Sequence, residues 1–150
     1  MKVKKVESDK PIEVTPISER FYDLSDDIEI KVTTDEGVLV YKAKKGCRTN
    51  FRSGCAGVDI FVDHIGNPDT QFAYFCHDLA YNADKDGNHI LSKPTADDLL
   101  EKMLIYAGHS KFMACLVKRS VELFGKSAYE EYDDVCKHNE GLFSLEWRAK

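Results

Sequence analysis

A chain of 150 residues with 43% hydrophobic and 31% charged residues is long enough to bury one sizeable core and lies far from the composition of disorder, so a single domain is expected. Its net charge of -5 and the lack of a Lys/Arg stripe argue against a nucleic-acid partner, and no apolar run reaches the length of an integral membrane segment. No apolar stretch of a signal peptide follows Lys2, Lys4 and Lys5, and the five cysteines (Cys47, Cys55, Cys76, Cys115 and Cys136) lack the close pairs of a zinc or redox motif, so reduced thiols are expected.

Residues 1–20 mix Lys, Glu, Pro and Ser without a period and read as an N-terminal arm; residues 21–150 form the domain. IEIKVTT (Ile28 to Thr34) alternates apolar and polar side chains, DEG supplies a turn, and VLVYKAK (Val38 to Lys44) resumes the alternation, which predicts a β-hairpin. A glycine-bearing loop follows from Gly46 to about Asp69, with one β-branched run, VDIFV (Val58 to Val62), inside it. From Asp69 the period becomes helical. Phe72, Phe75, Cys76, Leu79 and Ala83 share one face of a first helix that ends in DKDGN. The second helix is predicted from Thr95 as N-cap, with Asp98 completing a capping box and Leu99, Leu100, Met103, Leu104 and Ala107 as the buried stripe. Met113, Leu116, Val117, Ser120, Val121 and Phe124 give the inner face of a third helix, which Gly125 stops. SAYEEYDDVCKH predicts a short fourth helix, and GLFSLEW a tail docked through Leu142, Phe143, Leu145 and Trp147. Cys76 and Cys115 read as small core residues. The expected class is α+β, a small N-terminal sheet followed by a bundle of three to four helices.

Within FAYFCHDLAY, Tyr74, His77 and Tyr81 lie three and four apart on one stripe, with Asp78 beside it. A titratable pair at the edge of a buried helix invites chemistry. With His77 as general base, Asp97 at the start of the next helix orients the imidazole, and Asp78 offers a ligand to a hard divalent cation. A structural reading stands beside this one: the same His and Asp pin two helices together. NADKDGNHI imitates the first positions of an EF-hand loop, but Lys93 stands where the bidentate carboxylate belongs, so a polar turn accounts for it. FRSGCAGVD fits neither a P-loop nor a dinucleotide fingerprint, and Cys55 within it is the thiol that a nucleophile paired with His77 would require. His64, His89, His109 and His138 lack ligand partners at metal spacing.

In order, RTNFRSG (Arg48 to Gly54), HDLAY (His77 to Tyr81), ADDLLEKML (Ala96 to Leu104) and VKRSVELFG (Val117 to Gly125) resemble the motifs of a small phage-encoded family, domain of unknown function 1353. Asn50 stands where that family has Asp. The resemblance implies a phage protein, in the host cytoplasm or the virion. HDxxY followed by an acidic residue on the next helix is also similar to the phospholipase A2 pattern, particularly its disulfide-free viral form. That likeness implies ester or phospholipid hydrolysis with Ca2+: His77 activating water, Asp78 binding the metal, Asp97 supporting His77, and Tyr81 in a supporting role. SGCAG (Ser53 to Gly57) departs from that family's compact calcium loop. The alternative expectation is a non-catalytic virion or host-interaction protein in which the motif is structural.

Overall fold

The computed structural model describes residues 1–18, 21–49 and 67–149. Among them the chain forms strands β1 (Val3–Ser8), β2 (Val14–Pro16), β3 (Tyr22–Leu24), β4 (Ile28–Thr34), β5 (Gly37–Ala43), β6 (Arg48–Thr49) and β7 (Phe143–Ala149). Its helices are α1 (Pro68–Tyr81), α2 (Lys93–Tyr106), α3 (Lys111–Phe124), α4 (Lys126–Glu130) and α5 (Asp134–Asn139). This is the expected α+β class.

The predicted hairpin is the centre of an antiparallel sheet ordered β1-β4-β5-β7, with Ile28 opposite Ala43 and Thr33 opposite Val38. Alternation decides its faces: Ile28, Ile30, Val32 and Thr34 are buried, while the residues between them are half-buried. The Thr34 hydroxyl closes the turn by donating to the Gly37 carbonyl at 2.9 Å. Gly37 has a steric reason as well, since a Cβ there would stand 2.5 Å from the Arg148 carbonyl on β7. Ile30, Val32, Leu39 and Tyr41 from the sheet join Phe72, Phe75, Leu79, Leu100, Met103 and Leu104 from α1 and α2 in one apolar core. Each such full burial contributes about 1.5–3 kcal/mol before chain entropy is subtracted.

Both chain ends enter the fold differently from the expectation. Residues 1–20, read as an arm, supply β1, which pairs with β4 from Val3 opposite Thr34 to Ser8 opposite Ile30, and β2 of a small second sheet ordered β2-β3-β6. No period marks β1 because it is an edge strand on which Val3 alone is fully buried. The docked tail is β7, hydrogen-bonded along the other edge, against β5. Only Leu145 of its expected anchors is buried, and Trp147 remains 39% exposed.

The helix boundaries follow their caps. Asn67 caps α1, accepting from the Thr70 amide, and the chain turns extended at Asn82, so Ala83 is buried just beyond the helix. Ser92, not Thr95, caps α2, accepting from the Thr95 amide with Pro94 in the first turn. Asp98 therefore closes no capping box; it pairs with Lys118 at 3.0 Å and Lys102 at 3.4 Å. On α3, capped by Ser110, the inner face is Ala114, Val117 and Val121. Leu116 and Cys115, predicted to lie inside, are exposed; among the described elements α3 packs chiefly on α2, through its opposite side. The Phe124 side chain lies outside the described ones. The single fourth helix is in fact two, since Glu131 turns extended and Asp133 begins a new helix by accepting from the Cys136 amide. None of the described helices is long and apolar enough to cross a membrane.

Candidate active site

The i,i+4 spacing of His77 and Tyr81 on α1 aims both rings at α2, and there they meet one carboxylate. Asp97 Oδ1 lies 2.9 Å from His77 Nε2 and accepts the Tyr81 hydroxyl at 2.5 Å. Its Oδ2 accepts from Lys93 Nζ at 2.7 Å. Lys93, four residues before Asp97 on the same helix, also donates to the Val121 carbonyl of α3 at 2.9 Å and lies 5.8 Å from the Tyr81 ring centroid. Three helices are thus joined through one anion. The His77 and Asp97 side chains are each 1% exposed, and Lys93 is 18% exposed.

An aromatic series extends the network outward. The His77 and Tyr81 rings are 4.2 Å apart, Tyr81 meets the edge of Tyr129 at 5.3 Å, and His89 stacks on Tyr129 at 3.7 Å. The Tyr129 hydroxyl is anchored to the Leu91 carbonyl at 2.7 Å. Gly125 closes the site from the α3–α4 junction. Its φ of -90° is open to any residue, so glycine stands here for space: a Cβ would lie 2.9 Å from the Tyr81 hydroxyl and 2.5 Å from the Val121 carbonyl. Gly125→Ala is expected to cost about 1–3 kcal/mol and to push Tyr81 off Asp97. Denaturant melts would measure the cost, and the Tyr81 hydroxyl proton would report the displacement by NMR.

The electrostatics follow from burial and partners. Burial holds the His77 pKa below the usual imidazole value; the bond and charge of Asp97 oppose this without overcoming it, and Lys93 adds to the depression. For Asp97 burial acts upward, but the bonds from His77, Lys93 and Tyr81 outweigh it and keep the carboxyl below its ordinary range. Burial, then the Asp97 bond, raises the Tyr81 phenol so far that it stays protonated. An ionised Asp97 only accepts, so Nε2 of His77 carries the hydrogen and the neutral ring holds its lone pair on Nδ1.

These shifts give a pH dependence of definite sign. Below about pH 6.5 the unfolded chain takes up a proton at His77 before the folded one does, so stability is complete above that pH and falls as pH drops toward the lowered folded pKa. Asp97 adds a second loss in the same direction at carboxylate pH, as pH falls through its own lowered value. Unfolding free energies measured between pH 7.5 and 5, about this window, are expected to decline in the parent. The decline should be smaller in His77→Gln, whose amide nitrogen stands near the Nε2 position.

Asp78 faces elsewhere. It is half-buried, its Oδ2 accepts the Thr49 hydroxyl of β6, and its backbone carbonyl accepts from the Asn82 side chain at 2.7 Å. Among the described residues no group of three or more His, Cys, Asp or Glu side chains is arranged to hold a metal ion, and Asp78 is one carboxylate already engaged by a hydroxyl. The described residues therefore do not by themselves build a calcium site. Cys55, SGCAG, His64 and VDIFV, together with RTNFRSG beyond Thr49, lie outside the described residues.

Asp84 Oδ1 accepts from the amides of Asp86 and Asn88, the polar turn expected of the EF-hand-like stretch. His109 Nε2 pairs with the Thr70 hydroxyl at 2.7 Å, and His138 Nε2 with the Gly46 carbonyl at 2.8 Å. Cys47, Cys76 and Cys136 are buried free thiols. Lys93 was not among the expected site residues, because a helix beginning at Thr95 leaves its i,i+4 spacing to Asp97 outside; α2 in fact begins at Lys93. In comparisons with known protein families, curated proteins and solved structures, the chain matches none.

Proposed function

We propose that the chain is a phage-type hydrolase, acting on an ester or phospholipid, in which His77 is the general base and Asp97 its positioning residue. The observation that carries the reading is the convergence of His77 Nε2 and the Tyr81 hydroxyl on one oxygen of Asp97. That arrangement orients the imidazole and favours the imidazolium that a general base forms. In the reaction the His77 imidazole removes a proton from water, the water oxygen bonds to the ester carbonyl carbon, and Asp97 stabilises the imidazolium. The proton then passes to the departing alkoxide as its bond to the carbonyl breaks, giving an acid and an alcohol. Lys93 moderates the base by sharing the charge of Asp97. The motif order along the chain supports the phage assignment, with action in the host cytoplasm or the virion. Assistance by Ca2+ through Asp78 is a separate part of the proposal.

A second reading is favoured by the burial of both dyad side chains at 1% exposure: the network is a clasp between α1 and α2, and the chain acts by binding a virion or host protein. One experiment separates the two. The parent and His77→Gln are assayed on a soluble nitrophenyl ester and on phospholipid micelles, with calcium and with chelator, and their melting temperatures are recorded. Hydrolysis by the parent, lost in His77→Gln while melting holds, supports the enzyme. A variant that melts early beside an inactive parent discards the enzyme in favour of the clasp. Activity indifferent to chelator removes the calcium component alone.

A further inference from the structure

Helix α3 is apolar on two opposite sides. Ala114, Val117 and Val121 face the core, while Phe112, Leu116 and Leu123 are 70%, 40% and 71% exposed. At 100° per residue those three fall within about 40° of one another, roughly opposite the buried stripe. These three outward side chains lie in one line over three turns rather than scattered, and they expose roughly 300 Å², the scale of the largest apolar patch on an ordinary monomer.

The charges around the stripe identify what would cover it. In a chain of net charge -5, α3 carries Lys111, Lys118 and Arg119 against Glu122, and Lys126 follows at once. Lys118 is held by Asp98 at 3.0 Å and reaches Glu122 at 4.0 Å. Lys111, Arg119 and Lys126 form no ion pair among the described residues and are exposed. On the helical wheel Arg119 lies next to Phe112 and Leu123, so cationic and apolar groups are presented together. We propose that this face of α3 docks on an anionic lipid bilayer, with Phe112, Leu116 and Leu123 entering the headgroup boundary and Lys111, Arg119 and Lys126 meeting lipid phosphates. A second copy of the chain suits the face less well. Two facing stripes would bury roughly 600 Å², about half of what a stable interface requires, and would bring like charges together. The proposal concerns attachment and does not depend on the hydrolase reading.

The full chain is sedimented with vesicles of phosphatidylglycerol and phosphatidylcholine in equal parts, and with phosphatidylcholine alone. Binding is expected to the anionic vesicles and to weaken as salt rises. Arg119→Gln should reduce it about five-fold, and Phe112→Ser or Leu123→Ser about ten-fold each, with melting temperatures unchanged because these side chains lie outside the core. Should a serine variant melt early, Arg119→Gln and the salt dependence still carry the test. Absence of binding, equal binding to both vesicle types, or a dimer in sedimentation equilibrium that Leu123→Ser dissociates would each overturn the proposal.

Discussion

Replacing Asp97 by alanine is expected to lower stability by about 3–5 kcal/mol, a fall in melting temperature on the order of 10 °C, measurable by denaturant and thermal unfolding. The carboxylate receives the Tyr81 hydroxyl and the His77 ring on one oxygen and the Lys93 ammonium on the other. Its removal leaves an imidazole N–H and a phenol without an acceptor in a region of 1% exposure, and an ammonium with only the Val121 carbonyl. Asp97→Asn should lose less, because the amide oxygen still accepts from His77 and Tyr81 while its NH2 opposes Lys93. Lys93→Met should cost less still, since that side chain is 18% exposed, and it should raise the His77 pKa by removing the competing cation. In the double variant Lys93→Met with Asp97→Asn the donor–donor clash disappears, so its cost is expected to be smaller than the sum of the single costs. A loss below about 1 kcal/mol for Asp97→Ala would mean that the network does not hold α1 to α2.

The same network shows which parts of the molecule a sequence can reveal. The central hairpin was legible because each strand has one buried face, and α1 to α3 because their buried residues recur with the helical period. The dyad was legible for a similar reason: His77 and Tyr81 at i,i+4 must share a face, and an acidic residue early on the next helix is within reach of it. Asp98, expected to complete a capping box, serves two lysines instead. What escaped depends on neighbours distant in sequence. The edge strands β1 and β7 are defined by main-chain pairing, which carries no side-chain period. The break between α4 and α5 depends on a single cap, Asp133. Leu116 and Cys115 satisfy a helical period but lie outside, since periodicity gives a stripe and not the presence of a neighbour to cover it. Gly125 read as a helix stop, when its missing side chain is what leaves room for the Tyr81 hydroxyl.

Asn139→Ala is expected to cost about 2–4 kcal/mol, although Asn139 ends a short polar helix and looks like a surface residue in the sequence. Its side chain is fully buried and pairs with the backbone of a residue 91 positions earlier: Oδ1 accepts from the Arg48 amide at 2.7 Å, and Nδ2 donates to the Arg48 carbonyl at 2.9 Å. Nδ2 also donates to Asn82 Oδ1 at 3.1 Å. One amide thus does the work of a neighbouring strand for β6 and ties α5 to the end of α1. Alanine leaves the Arg48 amide and carbonyl without that partner, and unlike the exposed ion pairs of this surface, such bonds cannot be replaced by water without opening the packing. The consequence reaches the site, because Thr49, the next residue on β6, donates to Asp78. Faster hydrogen exchange at the Arg48 amide should accompany the lost stability. Asn139→Asp sharpens the test: it keeps the acceptor but turns a donor into an anion facing the Arg48 carbonyl and Asn82 Oδ1. At neutral pH it should destabilise at least as much as alanine. On acidification its protonated carboxyl regains one donor, so its deficit relative to the parent should shrink as pH falls, opposite in sign to the His77 and Asp97 contributions. An Asn139→Ala protein within about 0.5 kcal/mol of the parent would show that β6 and α5 are held by other contacts.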